Sequence, residues 1–277
     1  MSVGLALSGG GVKGAYHIGV IKALIEEGID IEYISGTSCG AIVAALFANG
    51  ILPDEMLKIF NCYARKIVYF DNKSMIRSVL NIKNGSRCIN KYDNFEGVLK
   101  SIFKTKDIKD VSTKLAICTV DINTGETIYF HNGNEIEKCI DGICENSGLL
   151  YKIIRASAAY PVLFEPSYYK GRVLVDSGVK KNLPVSILKS MGANKIIAVD
   201  VSKNILPLKS MSMLNVGFRC VEIMGMCNNE KEKEQSDFLI KPKNINHIGL
   251  LDFEYINALA TEGYYSTKKN IDKIKCI

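Results

Sequence analysis

The chain has 277 residues, 47% of them hydrophobic and 23% charged, enough apolar material to bury a core of ordinary size. Its net charge of +6 comes from 35 basic and 29 acidic residues spread along the chain, and no basic run interleaved with aromatics marks a nucleic-acid partner. No stretch approaches the roughly 18 apolar residues that a bilayer span needs. Met1 runs directly into Val3-Gly4-Leu5-Ala6-Leu7 without a basic segment or cleavage site, so the expectation is a cytoplasmic protein, at most peripheral to a membrane.

Val3–Leu7 is a short apolar strand, Gly9–Gly14 a tight glycine turn, and Ala15–Glu27 a helix with Ile18, Ile21, Leu24 and Ile25 at helical spacing before Gly28 stops it. A second cycle follows: Tyr33-Ile34-Ser35 as a strand end, Gly36–Gly40 as a sharp turn, and Ala41–Ala48 as a small-residue helix ended by Asn49-Gly50. Two such units within about fifty residues favour a parallel sheet. From Pro53 to Asp110 the pattern becomes short amphipathic helices rich in Lys and Asn, a helical cap over an active site, and the apolar and basic residues between Ile51 and Lys109 are the candidate membrane contact. Lys114–Val120 and Glu126–Phe130 are strands joined by the turn at 121–125; Val173–Val175 and Lys195–Val199 are strands that run into Asp176 and Asp200. Phe238–Ile240 is a further strand, and Tyr255–Ile274 a closing helix. With no internal repeat and no linker, the expectation is a single domain over 1–277: a three-layer α/β/α sandwich with a mainly parallel central sheet.

The nine cysteines are odd in number and scattered, and the closest pairs, Cys139/Cys144 and Cys220/Cys227, lack the two-residue gap of common zinc and redox motifs. Reduced thiols and no metal site are expected.

Gly36-Thr37-Ser38-Cys39-Gly40 fits the GxSxG nucleophile elbow, in which a serine sits on a strained strand-to-helix turn that only small flanking residues allow. A plain alternative is a glycine-rich loop whose serine caps a helix. Gly9-Gly10-Gly11-Val12-Lys13-Gly14 matches the GxGxxG dinucleotide fingerprint literally, with Asp30 and Glu32 at about the distance of a ribose-binding acid, so a dinucleotide-binding oxidoreductase stands as the rival reading. Against it, these acids lie before the strand rather than at its end. The same glycines suit an oxyanion hole, with successive unshielded N–H groups backed by a helix N-terminus and Lys13 either adding positive charge or solvated.

A GGGxKG turn, a GxSxG elbow about 25 residues later and the downstream Asp176-Ser177-Gly178, preceded by Ala156-Ser157-Ala158-Ala159-Tyr160-Pro161-Val162-Leu163-Phe164-Glu165-Pro166, together resemble the patatin-like phospholipase family. The resemblance covers Leu5 to about Leu188. It implies a Ser-Asp dyad without a histidine: Ser38 as nucleophile, Asp176 as proton acceptor, and Gly10 and Gly11 at oxyanion-hole positions. It further implies hydrolysis of carboxylic esters in phospholipids, lysophospholipids or other acyl lipids through an acyl-enzyme, with no cofactor and with contact to a membrane or micelle surface. A catalytically inactive lipid-binding relative is the other outcome the resemblance allows. Lys13 stands where the family commonly has arginine, and Ser177 where it commonly has glycine.

An aspartate of ordinary pKa, about 3.9, accepts a serine proton poorly, so a sole carboxylate base must be buried or polarised. Ser38, Asp176 and His247 occur in the chain order of a hydrolase triad, but His247 sits in a turn-like segment, His17 one turn into the first helix and His131 at a strand end; all three have a structural or solvent-facing reading. Cys39 starts a helix whose dipole could lower its thiol pKa, although a small residue that fits the elbow is the simpler account. Asp200 and Asp121 are read as cap or turn acids.

Overall fold

The computed structural model describes residues 2–67, 93–133, 136, 141–202, 204–208 and 211–277. In chain order the elements are β1 (Ser2–Leu7), α1 (Gly14–Glu26), β2 (Asp30–Gly36), α2 (Cys39–Ala48), α3 (Pro53–Ile67), α4 (Asp93–Phe103), β3 (Lys114–Asp121), β4 (Thr127–His131) and β5 (Ile143–Glu145). There follow α5 (Leu150–Ser157), β6 (Ser167–Tyr169), β7 (Arg172–Asp176), α6 (Ser186–Ser190), β8 (Ile196–Val199), α7 (Met213–Lys233), β9 (Phe238–Ile240), α8 (Ile256–Lys269) and α9 (Ile271–Lys275). The strands form one sheet in the order β5-β4-β3-β2-β1-β8-β9, with β7 also on β3 and β6 on β7. Five of its eight pairings are parallel.

Alternation along the strands makes two cores. Leu5, Leu7, Leu115, Ile117, Ile197 and Val199 point to the face covered by α1, α2 and α8. Ala6, Ala116, Cys118, Ile196 and Ala198 point to the other, where Ile187 and Leu188 of α6 meet them. This is the expected α/β/α layering. The expected hairpin is β3 and β4, its turn held by Asp121, whose carboxylate accepts the Asn123 N–H at 3.1 Å.

Several expectations are corrected. Asp30 and Glu32 belong to the first half of β2, which starts three residues earlier than its apolar core suggests because Ser2 and Val3 of β1 extend the ladder. The closing helix is two helices, broken at Asn270, whose amide folds back onto the Ser266 carbonyl. The 21-residue helix α7 was not foreseen, since its face pattern is inverted. Of the 53–110 cap segment, α3 and α4 are described and 68–92 lies outside the described residues. Cys144 is disulfide-bonded, against the expectation of reduced thiols throughout; the other described cysteines are free.

Candidate active site

Because β2 ends at Gly36 and α2 begins at Cys39, the chain must reverse within Thr37 and Ser38. Ser38 takes the strain, with φ 56° and ψ −123°, a conformation costly for a residue with a side chain. A Cβ on Gly36 would lie 2.4 Å from the Gly40 carbonyl, and one on Gly40 would lie 2.4 Å from the Leu7 carbonyl oxygen, so both flanking glycines are sterically required. The Ser38 N–H donates to Ser157 Oγ at 3.0 Å, and that hydroxyl donates to the Cys118 carbonyl at 2.7 Å, which braces the turn against β3.

Sheet register brings the carboxylate to it. On one edge of β3 the parallel strand β2 ends with Gly36 opposite Ile117, while the antiparallel strand β7 ends with Asp176 opposite Thr119. The other edge is filled by β4 from Ala116 to Val120, so β2 and β7 share an edge and meet with their C-terminal ends facing, one two-residue step apart, about 7 Å. Asp176 is only 1% exposed. Burial raises its pKa to about 6, while interaction with the Ser38 hydroxyl and the Gly178 N–H pulls it back down. Oδ1 accepts that N–H at 2.7 Å; Oδ2 is buried without a conventional hydrogen-bond partner among the described residues, which leaves it for the serine.

The glycine loop lies beside the pair. The Gly9 N–H is held by the Asn182 carbonyl at 3.2 Å and its Oδ1 at 3.1 Å, and the Val12 N–H by the Leu250 carbonyl at 2.8 Å. Between them, the Gly11 N–H donates to no oxygen of the described residues and the Gly10 N–H faces the Cys39 sulfur, and both residues line a groove with Ser38 and Asp176. Gly11 has φ +64°, and a Cβ there would strike the Leu250 carbonyl at 2.4 Å. Lys13 is 3% exposed, so the solvated alternative is excluded, and Gly14 opens α1.

Residues that the motifs did not reveal tie these parts together. The Lys181 carbonyl accepts both Thr37 Oγ1 from the elbow and Ser177 Oγ from the aspartate turn, each at 2.9 Å. The hydroxyl that departs from the family pattern is therefore used. Lys181 Nζ is buried between Glu232 of α7 and Asp141, and the second Glu232 oxygen accepts the N–H groups of Val185 and Ser186 at 2.8 Å. A backbone carbonyl leaves no signature in a sequence; only the polar Asn182, six residues after Asp176, offered a signal.

Two clefts meet at Ser38 and share Tyr160. One, about 920 Å³, is lined by Ile59 and Phe60 of α3, Phe95, Val98, Leu99 and Ile102 of α4, and Leu163 and Phe164, with no charged side chain among its described lining. The other, about 490 Å³, is more polar and carries Asp176, Asn182, Ser202 and Glu222.

The remaining candidates lie elsewhere. His17 is fully buried, its Nε2 2.8 Å from the Ser8 carbonyl, and burial lowers its pKa to about 4. His131 ends β4, and His247 packs edge-on against Tyr255; neither lines the clefts at Ser38. Burial and the neighbouring Asp176 push the Cys39 thiol up to about 12, so the dipole-activated thiol is excluded. Asp200 is a buried acid that caps Ser202 and pairs with Lys233. Asp30 and Glu32 sit at the start of β2, and parallel pairing with β1 places them at the opposite end of the sheet from the glycine loop, roughly 20 Å away. A dinucleotide on that loop would not reach them.

Comparison with known proteins places the chain in a family. The family model described as patatin-like phospholipase matches residues 5–189. The chain belongs to the patatin-like phospholipase family. Patatin-like relatives include lysophospholipase NTE1 of Debaryomyces hansenii, 35% identical over 201 residues, covering 72% of this chain and 12% of the relative. Another is patatin-like phospholipase domain-containing protein 7 of Rattus norvegicus, 30% identical over 204 residues, covering 72% of this chain and 14% of the relative. The chain thus spans only a small part of these proteins. The fold is shared with human GIVD cytosolic phospholipase A2, solved with a methyl γ-linolenyl fluorophosphonate inhibitor and terbium chloride (TM-score 0.54, 12% identity, covering 99% of this chain and 58% of that one). VipD from Legionella pneumophila is similar at TM-score 0.50 and 14% identity, covering 98% of this chain and 67% of that one.

Proposed function

We propose that the chain is a serine lipid acyl hydrolase that cleaves carboxylic esters of phospholipids, lysophospholipids or related acyl lipids through an acyl-Ser38 intermediate. The observation that carries this reading is a strained serine that lines an uncharged apolar cleft beside a buried carboxylate of raised pKa. The acyl chain lies along α3 and α4, and the alcohol portion occupies the more polar cleft. Ser38 Oγ attacks the ester carbonyl as its proton passes to Asp176, and the Gly10 and Gly11 N–H groups receive the developing oxyanion. Collapse of the tetrahedral intermediate expels the alcohol, which takes the proton from Asp176. Asp176 then removes a proton from water, whose oxygen attacks the acyl carbon; fatty acid leaves and Ser38 regains its hydrogen.

A carboxylate whose pKa lies near 6 is mostly ionised at neutral pH yet basic enough to take a shared proton, which removes the objection to an aspartate as sole base. The test is fatty-acid release from mixed-micelle phospholipid and from a short-chain nitrophenyl ester by wild type, Ser38→Ala and Asp176→Asn. Loss of turnover in both folded variants supports the dyad. Full activity in Ser38→Ala, or an inert wild type on every acyl ester, overturns it.

A further inference from the structure

Helix α7 wears its apolar residues on the outside. Its buried face carries Val221, Gly225, Asn229 and Glu232, whereas Met213, Val216, Cys220, Ile223 and Cys227, spaced alternately three and four residues apart, are exposed, Met213 to 90%. One such residue is unremarkable on a protein surface, but a stripe of four turns marks an interaction site. The stripe is continuous with more exposed apolar surface: Ile205, Leu206 and Met211 in the segment before the helix, and Val162 beside Gly217. Arg219 fastens segment to helix, donating to the Leu206 carbonyl at 2.5 Å and to Glu222 at 3.0 Å.

Two observations say what covers this surface. Val221, Glu222, Gly225 and Met226 of the same helix line the cleft that holds Ser38 and Asp176, so the stripe borders the mouth of the site. The sequence from Val201 to Cys227 contains Lys203, Lys209 and Arg219 against one carboxylate, Glu222, which pairs with Arg219. Apolar side chains flanked by an excess of cations suit an anionic lipid surface, where the former enter the acyl boundary and the latter meet the headgroups. A second copy of the chain is less well served, because the flanking positions in the first turns are Asn215, Gly217 and Phe218 rather than the paired charges that set helix pairing.

We infer that the exposed face of α7 and the apolar segment before it dock the protein on an anionic bilayer, presenting the cleft mouth to its lipid substrate. This places the surface at 204–208 and 211–227 instead of the 51–109 stretch named from the sequence, and it rests on the lipid acyl hydrolase reading for its purpose but not for its test.

The full chain is sedimented with vesicles of phosphatidylcholine alone or mixed with phosphatidylglycerol, and hydrolysis of a soluble nitrophenyl ester is measured in parallel. Wild type is expected to sediment with the mixed vesicles and, at equal lipid, much less with phosphatidylcholine alone. Met213→Glu combined with Ile223→Glu lowers the bound fraction and the vesicle hydrolysis rate by about tenfold or more, with the soluble-ester rate within about twofold. Met213→Ser, at a position too exposed to affect folding, shows the same trend more weakly. Binding unchanged in these variants, or no preference for anionic vesicles, overturns the proposal, as does a wild-type dimer that the double substitution dissociates without altering vesicle binding. An ester-inactive wild type that still binds vesicles through this face leaves the docking surface standing and removes the hydrolase reading.

Discussion

Gly225 on α7 approaches Gly178 so closely that a Cβ added to it would lie 2.4 Å from the Gly178 carbonyl oxygen. Gly178 is the residue whose N–H holds Asp176 Oδ1, so the helix that borders the cleft also rests on the turn that aims the proposed base. Gly225→Ala must displace either the helix or the turn, at a cost of about 1–3 kcal/mol. Its kcat on the soluble ester is expected to fall by about tenfold or more, because small displacements of reacting groups are expensive. A crystal structure or thermal melt of the variant that shows neither shift nor loss of rate contradicts this coupling.

The pKa of Asp176 makes a pH prediction. With Asp176 as the proposed base its ionised form is the active one, so kcat/KM for the ester should be flat above pH 7 and fall tenfold per unit well below the apparent pKa of about 6. A profile still flat at pH 4.5 denies Asp176 the role of base.

Stability carries the opposite sign. Burial raises the folded-state pKa from 3.8 to about 6, so the folded chain holds this proton more tightly than the unfolded chain, and the resulting stability is complete below about pH 3.8 and lost as pH rises through about 6. At pH 8 the ionised carboxylate therefore costs on the order of 3 kcal/mol. Asp176→Asn, although inactive, should melt higher than wild type at pH 8, with the gap narrowing at pH 5. A lower melting temperature for the variant at pH 8 would mean that the carboxylate is a structural anchor.

Lys181 holds the elbow and the aspartate turn through its carbonyl and is itself held by Glu232 and Asp141. Lys181→Met leaves Glu232 buried without its cation, which costs about 3–5 kcal/mol. Pairing it with Glu232→Gln should recover part of that loss, and a double-mutant cycle by urea denaturation measures how much. Strict additivity would show that the pair is not coupled.

The cleft predicts chain-length selectivity. Ile102→Trp on α4 fills part of the apolar wall and should lower kcat/KM for long-chain esters by about tenfold or more, with a butyrate ester spared. Equal loss on both chain lengths argues that the acyl group lies elsewhere.

The parts of the molecule that repeat a local rule were legible in advance. Val3–Leu7, Gly36–Gly40 and the 114–130 hairpin follow alternation, glycine sterics and turn chemistry, all short-range properties. Asp176 could be named by motif, but its meeting with Ser38 depends on β2 and β7 sharing one edge of β3, a register that no local pattern encodes. Helix α7 escaped notice because a helix whose exposed stripe is apolar and whose buried face carries Gly225, Asn229 and Glu232 inverts the expected periodicity. The Lys181 carbonyl and the Asn182 clasp on Gly9 are backbone relationships across more than 140 residues, visible only once the sheet is assembled.

The central claim, that Ser38 is a nucleophile activated by Asp176, is tested most directly by intact and peptide mass spectrometry after brief exposure to an alkyl fluorophosphonate. The account predicts one phosphonyl adduct on the Ser38 peptide of the wild type, none on Ser38→Ala, and much slower labelling of Asp176→Asn. Labelling of a different residue, or of Ser38 at the same rate without the aspartate, would contradict it.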